Sequence, residues 1–199
     1  MSSTLVATAR HIHKPLPADD SIRVLELLPG SPGNTLRARL LEVRLSDEPT
    51  FSALSYCWGA PKFDALLECN GQTLHITESL ATALECLRNT TEPLVIWIDQ
   101  VCINQRGVTE KTRQVQLMGK IYASACEVLV WLGLPTDSSD FMLYCMDRGT
   151  VMHADIPRFL CSVADFCHRP WFDRTWTVQE VVLSRREPQL LCGPRSIHW

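Results

Sequence analysis

The stretch Val95-Ile-Trp-Ile-Asp-Gln-Val-Cys-Ile-Asn-Gln105 constrains the fold more than any other, because four apolar residues run straight into a carboxylate and then into carboxamides. Val95 to Ile98 are β-branched or aromatic, the pattern of a short strand buried on both faces, as in a parallel sheet. Asp99 then falls at the carboxyl end of that strand, the edge at which open parallel α/β sheets bind ligands. Asp99, Gln100, Asn104 and Gln105 are therefore candidates for a site. The competing reading is that they satisfy the backbone of a tight turn.

The rest of the chain alternates strand and helix patterns around this stretch. Ile22 to Leu28 and Leu40 to Leu45 alternate apolar with charged residues across a PGSPGN turn, which predicts a half-exposed antiparallel hairpin at the sheet edge. Phe51 to Trp58 suits a central strand ended by Gly59-Ala-Pro61, and Asn70-Gly71 marks a small hairpin over 66–76. Thr77 is a good N-cap for a helix through Arg88, with Leu80, Leu84 and Leu87 on one face. A second helix is predicted from Thr109, carrying Val115, Met118 and Tyr122 as a stripe, before a buried strand over Glu127 to Leu132. Further helices are expected over 137–147, over 157–168 with Pro157 at the first position, and from Asp173 to Ser184. Pro188 to Cys192 reads as a closing strand. Residues 1–20 show no periodicity and read as a flexible arm, with a single domain over 21–199. Strand, helix, strand, helix, strand is the order of an α/β parallel sheet.

Composition excludes several classes. A net charge of -3 and the lack of a Lys/Arg cluster beside aromatics argue against a nucleic-acid surface. Nine cysteines without any C-x-x-C pair fit neither a zinc site nor a compact disulfide framework, and read as reduced thiols packed as small hydrophobes. There is no signal-peptide apolar region and no run of membrane-spanning length, so a cytoplasmic protein without membrane contact is expected. Phosphate-binding, dinucleotide, zinc-protease and nucleophile-elbow motifs are missing. Cys167 and His168 are adjacent, and neighbours on a helix do not face each other, so they make a poor catalytic dyad.

The segment Arg169-Pro-Trp-Phe-Asp-Arg-Thr-Trp-Thr-Val-Gln-Glu180 is more suggestive. Trp176 and Glu180 are four apart on one helical face, and a carboxylate against an indole is desolvated toward its protonated form. Packed on the sheet edge, Glu180 would meet Asp99 or the Ser55-Tyr-Cys-Trp-Gly59 turn. The alternative is a structural pair with an arginine such as Arg174. Tyr56, Trp58, Trp97, Trp131, Trp171 and Trp176 either line a flat ligand or simply fill the core.

Taken in order, LSYCWG, IWIDQVCINQ, QVQLMGKIYASACEVLVWLG and RPWFDRTWTVQEVVLS resemble the fungal heterokaryon incompatibility (HET) domain over roughly 51–184. The resemblance implies a protein of fungal non-self recognition whose activation triggers programmed cell death. Family members usually continue well past the end of this chain, so a truncated product or single-domain form is expected; Val101 replaces an often small or polar residue. The family is in turn similar to Toll/interleukin-receptor (TIR) domains, which have a flavodoxin-like sheet and some of which cleave NAD with a glutamate.

That similarity implies a TIR-like fold with Glu180 as the catalytic carboxylate, and Tyr56, Trp58, Gly59, Asp99, Gln100, Asn104 and Trp176 around the substrate. No metal or resident cofactor is implied, with NAD as a substrate. The other hypothesis is an interaction module that assembles with other HET or nucleotide-binding receptor proteins without chemistry. Self-association would serve both. A cleft holding Glu180, Asp99 and the Tyr56 turn together favours the enzyme, and a Glu180 buried in packed protein favours the module.

Overall fold

The computed structural model describes residues 13–198. In chain order the elements are β1 (Ser21–Leu27), β2 (Arg37–Arg44), β3 (Ser52–Tyr56), β4 (Ala65–Cys69), β5 (Gln72–Ile76), α1 (Glu78–Leu87), β6 (Leu94–Trp97) and α2 (Asp99–Cys102). They continue with α3 (Val108–Ser124), β7 (Glu127–Trp131), α4 (Asp137–Arg148), α5 (Ile156–Cys167), α6 (Thr177–Val182), β8 (Gln189–Cys192) and β9 (Arg195–His198). All strands join one sheet, in the order β5-β4-β2-β1-β6-β3-β7-β8-β9.

The sheet is mixed rather than parallel. Its parallel part is β6-β3-β7-β8, with β3 central as its apolar sequence predicts. Chain direction across this part reverses at β3: the route goes from β3 to β6 on one side, then back past β3 to β7 and β8 on the other. Right-handed crossovers then set α1 and α3 on opposite faces. Antiparallel pairs flank this part, β1 against both β2 and β6, and β8 against β9.

The N-terminal hairpin forms but is not the edge, which corrects the sequence expectation. β1 lies between β2 and β6, and all of it but Glu26 is buried. The charge that made β1 look half-exposed is turned inward: Arg23 is 3% exposed and binds Glu110 of α3 at 2.6 and 3.1 Å. It also donates to the carbonyls of Cys102 and Lys14. One edge belongs instead to β5, after a turn at Asn70-Gly71 where both residues have positive φ, as a two-residue hairpin requires. The other belongs to β9, which the sequence reading did not anticipate.

Local signals set several helix ends. The Thr77 side chain accepts from the Leu80 amide, as predicted for an N-cap. α4 carries a reciprocal capping box between Thr136 and Ser139 and stops at Gly149 with φ 63°. The second predicted helix begins at Val108 rather than after a Thr109 cap. The last is shorter than its predicted span, because 169–176 folds as turns. Of the arm expected over 1–20, residues 1–12 lie outside the described ones. In the remainder His13 binds the Val101 carbonyl at 2.8 Å and Leu16 is buried.

Candidate functional site

Successive side chains of a strand point to opposite faces of its sheet, and β3 uses this to serve two compartments. Ser55 shares a face with Ala53, the register partner of Trp97, whose ring meets Tyr122 of α3 edge-on at 5.6 Å. Tyr56 is on the other face, with its register partner Trp131.

On the Ser55 face the sequence brings together a buried polar centre. Glu180, on α6, is 1% exposed. It accepts a short hydrogen bond from Ser55 Oγ and is held by Arg174 at 3.1 and 3.4 Å. Trp171 Nε1 donates to the same Ser55 oxygen at 2.7 Å. α6 packs beside α3 at Gly119, where the side-chain ends of Gln179 and Leu183 approach. A Cβ there would stand 2.7 Å from Gln179 Nε2 and 3.2 Å from Leu183 Cδ1.

Asp99 stands at the end of β6 as predicted, and its carboxylate is capped rather than open. Trp58 Nε1 donates to both oxygens at 3.0 Å, and the Gln100 amide donates at 2.7 Å. Burial pushes the Asp99 carboxyl up to about 6, and the Glu180 charge adds to that. The Trp58 and Gln100 hydrogen bonds and the Arg174 charge oppose it. Tyr56 is fully buried, and its hydroxyl has no hydrogen-bond partner among the described residues. Burial holds that phenol well above its ordinary range, with the Asp99 charge adding to the effect.

On the Tyr56 face a cleft of ≈360 Å³ opens beyond the carboxyl ends of β3 and β7. Trp58, Gly59, Lys62, Glu78, Trp131 and Gly133 line it. Trp58 therefore has one side in the cleft and its N–H on Asp99.

The residues singled out from sequence are thus distributed rather than gathered. Trp58 and Gly59 line the cleft, while Asp99 lies behind Trp58 and Glu180 on the opposite face of β3. Gln100 accepts from the Thr77 amide at 3.0 Å and reaches its hydroxyl at 3.3 Å, so it locks the start of α1. Asn104 accepts from the Arg106 amide, and Gln105 donates to the Asp99 carbonyl at 2.8 Å; both hold the turn. Trp176 is not packed on Glu180 but is 52% exposed on the outer side of α6, because the helix starts only after it. The indole linked to Glu180 is Trp171, through Ser55.

Lys62 and Glu78 were not picked out from sequence, Ser55 entered only as the start of the turn expected to meet Glu180, and Trp131 only as one of six aromatics that either line a ligand or fill the core. Ser55 carried a signal, a small hydroxyl in the middle of a central strand, which when buried needs a polar partner. Lys62 and Glu78 carried none. Among the described residues, no cluster of three or more His, Cys, Asp or Glu could hold a metal, and no helix is long and apolar enough to cross a membrane. All nine cysteines are free, with Cys69, Cys102, Cys145 and Cys192 buried.

The chain is 41% identical to heterokaryon incompatibility protein 6, OR allele, of Neurospora crassa, over 81% of this chain and 32% of that protein. It spans about a third of the length of that relative. No solved structure gives a significant match. The model of the family described as heterokaryon incompatibility protein (HET) matches residues 51–180, from the start of β3 to Glu180 itself. With both polar compartments and the strand between them inside that match, the chain belongs to the HET family.

Proposed function

We propose that this domain acts in heterokaryon incompatibility as a cytoplasmic interaction module that assembles with further HET or nucleotide-binding receptor proteins and leads to programmed cell death. One observation carries the reading: Glu180 is 1% exposed, and its two oxygens are taken by Arg174 and Ser55. A buried ion pair adds little net stability over apolar packing, and its best-attested use is to fix register. Here it fixes α6 on β3 and turns Trp176, Val178, Val182 and Leu183 outward as an exposed apolar face. Contiguous apolar surface of this kind marks protein contacts, and self-association through it is part of the proposal.

A second reading, cleavage of NAD at its nicotinamide bond by Glu180, is favoured by a different observation. Numbered by sequence among themselves, the parallel strands run 2-1-3-4, the order of flavodoxin-like sheets, and both carboxylates lie at their carboxyl edge. Asp99, with its carboxyl near 6, is suited to proton transfer. This chemistry requires Arg174 or Trp58 to move aside.

One experiment separates the readings. The native chain and Glu180→Gln, whose side-chain oxygen can still accept from Ser55 and Arg174 and so hold α6 in place, are expressed in the same fungal host, and nicotinamide release from NAD is followed with each purified, folded protein at high concentration. The module reading expects cell death from both and release from neither. Release and death with the native chain alone would overturn it in favour of the hydrolase.

A further inference from the structure

The cleft on the Tyr56 face is furnished for a ligand that the Glu180 centre does not account for. Trp58 spends its N–H on Asp99, so it offers the cleft only a ring. Trp131 is 3% exposed, lines the cleft, and has no hydrogen-bond partner for its indole N–H among the described residues. That N–H is not enclosed, so it stays in reach of solvent and free to donate to an acceptor atom in the cleft. Glu78, in the first turn of α1, and Lys62, on the loop after β3, are exposed at the cleft, and neither forms an ion pair among the described residues. Gly59, with φ +72°, keeps the rim free of a side chain where one would be strained.

The furniture is therefore one aromatic face, one neutral donor, one carboxylate acceptor and one cation, beyond the ends of β3 and β7 where the chain reverses its direction across the sheet. Crevices at such reversals are where doubly wound sheets bind ligands, and ≈360 Å³ falls in the range of small-molecule sites. A planar base stacks on an indole. A ring nitrogen can accept from Trp131, an exocyclic amine can donate to Glu78, and a phosphate can meet Lys62.

We propose that this cleft binds an amino-substituted purine nucleotide of the adenosine monophosphate type, seated on Trp58, hydrogen-bonded by Trp131 and Glu78, and held through its phosphate by Lys62. The proposal rests on neither reading of Glu180, which lies across β3 from the cleft.

Calorimetric titration of the full chain tests it, with adenosine monophosphate, inosine monophosphate and adenosine as probes. Saturable one-to-one binding of adenosine monophosphate is expected, weakened by about tenfold for inosine monophosphate, whose ring lacks the amine. Lys62→Gln, an exposed change, should weaken the monophosphate several-fold and leave adenosine unchanged, and Trp131→Phe should weaken both. No saturable binding by folded protein overturns the proposal, as does binding that ignores both substitutions. Should Trp131→Phe fail to fold, the Lys62→Gln contrast between nucleotide and nucleoside decides alone. Glu180→Gln leaves these affinities unchanged, so failure here and failure of the incompatibility reading are told apart.

Discussion

The two sides of β3 differ in how their polar groups are satisfied. On the Ser55 side the charged centre is closed, since Glu180, Arg174, Ser55 and Trp171 bond to one another, and the Trp97 N–H on the same face is a neutral donor left without a partner among the described residues. On the Tyr56 side more is left open: the Tyr56 hydroxyl is enclosed without a partner among the described residues, the Trp131 N–H makes no hydrogen bond to them, and Lys62 and Glu78 are exposed and form no ion pair with them. A closed network holds a shape, and an open one waits for a partner. Proximity to the carboxyl edge of the sheet does not by itself distinguish them, since both sides share it. What distinguishes them is whether the hydrogen-bonding capacity is already used.

The sharpest way to break the closed side is to strip its counter-ion. Arg174→Ala leaves Glu180 buried and unpaired, and is expected to cost about 3–5 kcal/mol in denaturant unfolding. A loss below 1 kcal/mol would mean that α6 opens to water, and that the closed side is not closed.

Asp99 joins the two sides, and its titration measures the coupling. Its carboxyl is raised from 3.8 to about 6 in the fold, so the folded state binds the proton more tightly than the unfolded chain. The contribution of this group is fully present below 3.8 and is lost as pH rises through about 6, a difference of up to about 3 kcal/mol. Urea midpoints measured from pH 4 to 7.5 should therefore fall with pH in the native chain relative to Asp99→Asn, which has no such proton. Parallel profiles would place the Asp99 carboxylate in water.

Trp58→Phe keeps a ring in the cleft but removes the donor to Asp99. A loss of about 2 kcal/mol is expected at pH 7.5, as for a hydrogen bond to a charged group, and a smaller one at pH 5, where Asp99 holds a proton. Equal losses at both pH values would assign the effect to packing. The smallest change is Gly119→Ala on α3. Its Cβ would press on the Gln179 amide, the far end of a flexible side chain, while the helix gains about 1 kcal/mol of propensity, so stability should shift by less than about 1 kcal/mol.

How much of this was legible in the sequence follows from the range of each signal. The β3 and β6 runs, the Thr77 cap, the Asn70-Gly71 turn and the place of Asp99 at a strand end are local, and could be read from a few neighbouring residues. The burial of β1 could not, because it depends on Arg23 finding Glu110, 87 positions away. Glu180 was singled out together with the wrong indole: helical spacing pointed to Trp176, but the helix begins beyond it and the partner comes from Trp171 in the preceding turn. The expected meeting of Glu180 with the Ser55 turn and the structural pairing with Arg174 were both legible, and both occur. Of the cleft only Trp58, Gly59 and Trp131 were legible, as candidates to line a ligand, since Lys62 and Glu78 come from separate segments and share no pattern with them.

The alternation of Ser55 and Tyr56 also bears on how the gene can vary. A single residue added to or removed from Ser52–Tyr56 would exchange the two side chains between faces and disturb both compartments at once. The loops around α1 and the turns before α6 each touch one compartment and can change length independently. Insertions and deletions among relatives should therefore accumulate in those flanking segments, while the length of this one five-residue strand stays fixed.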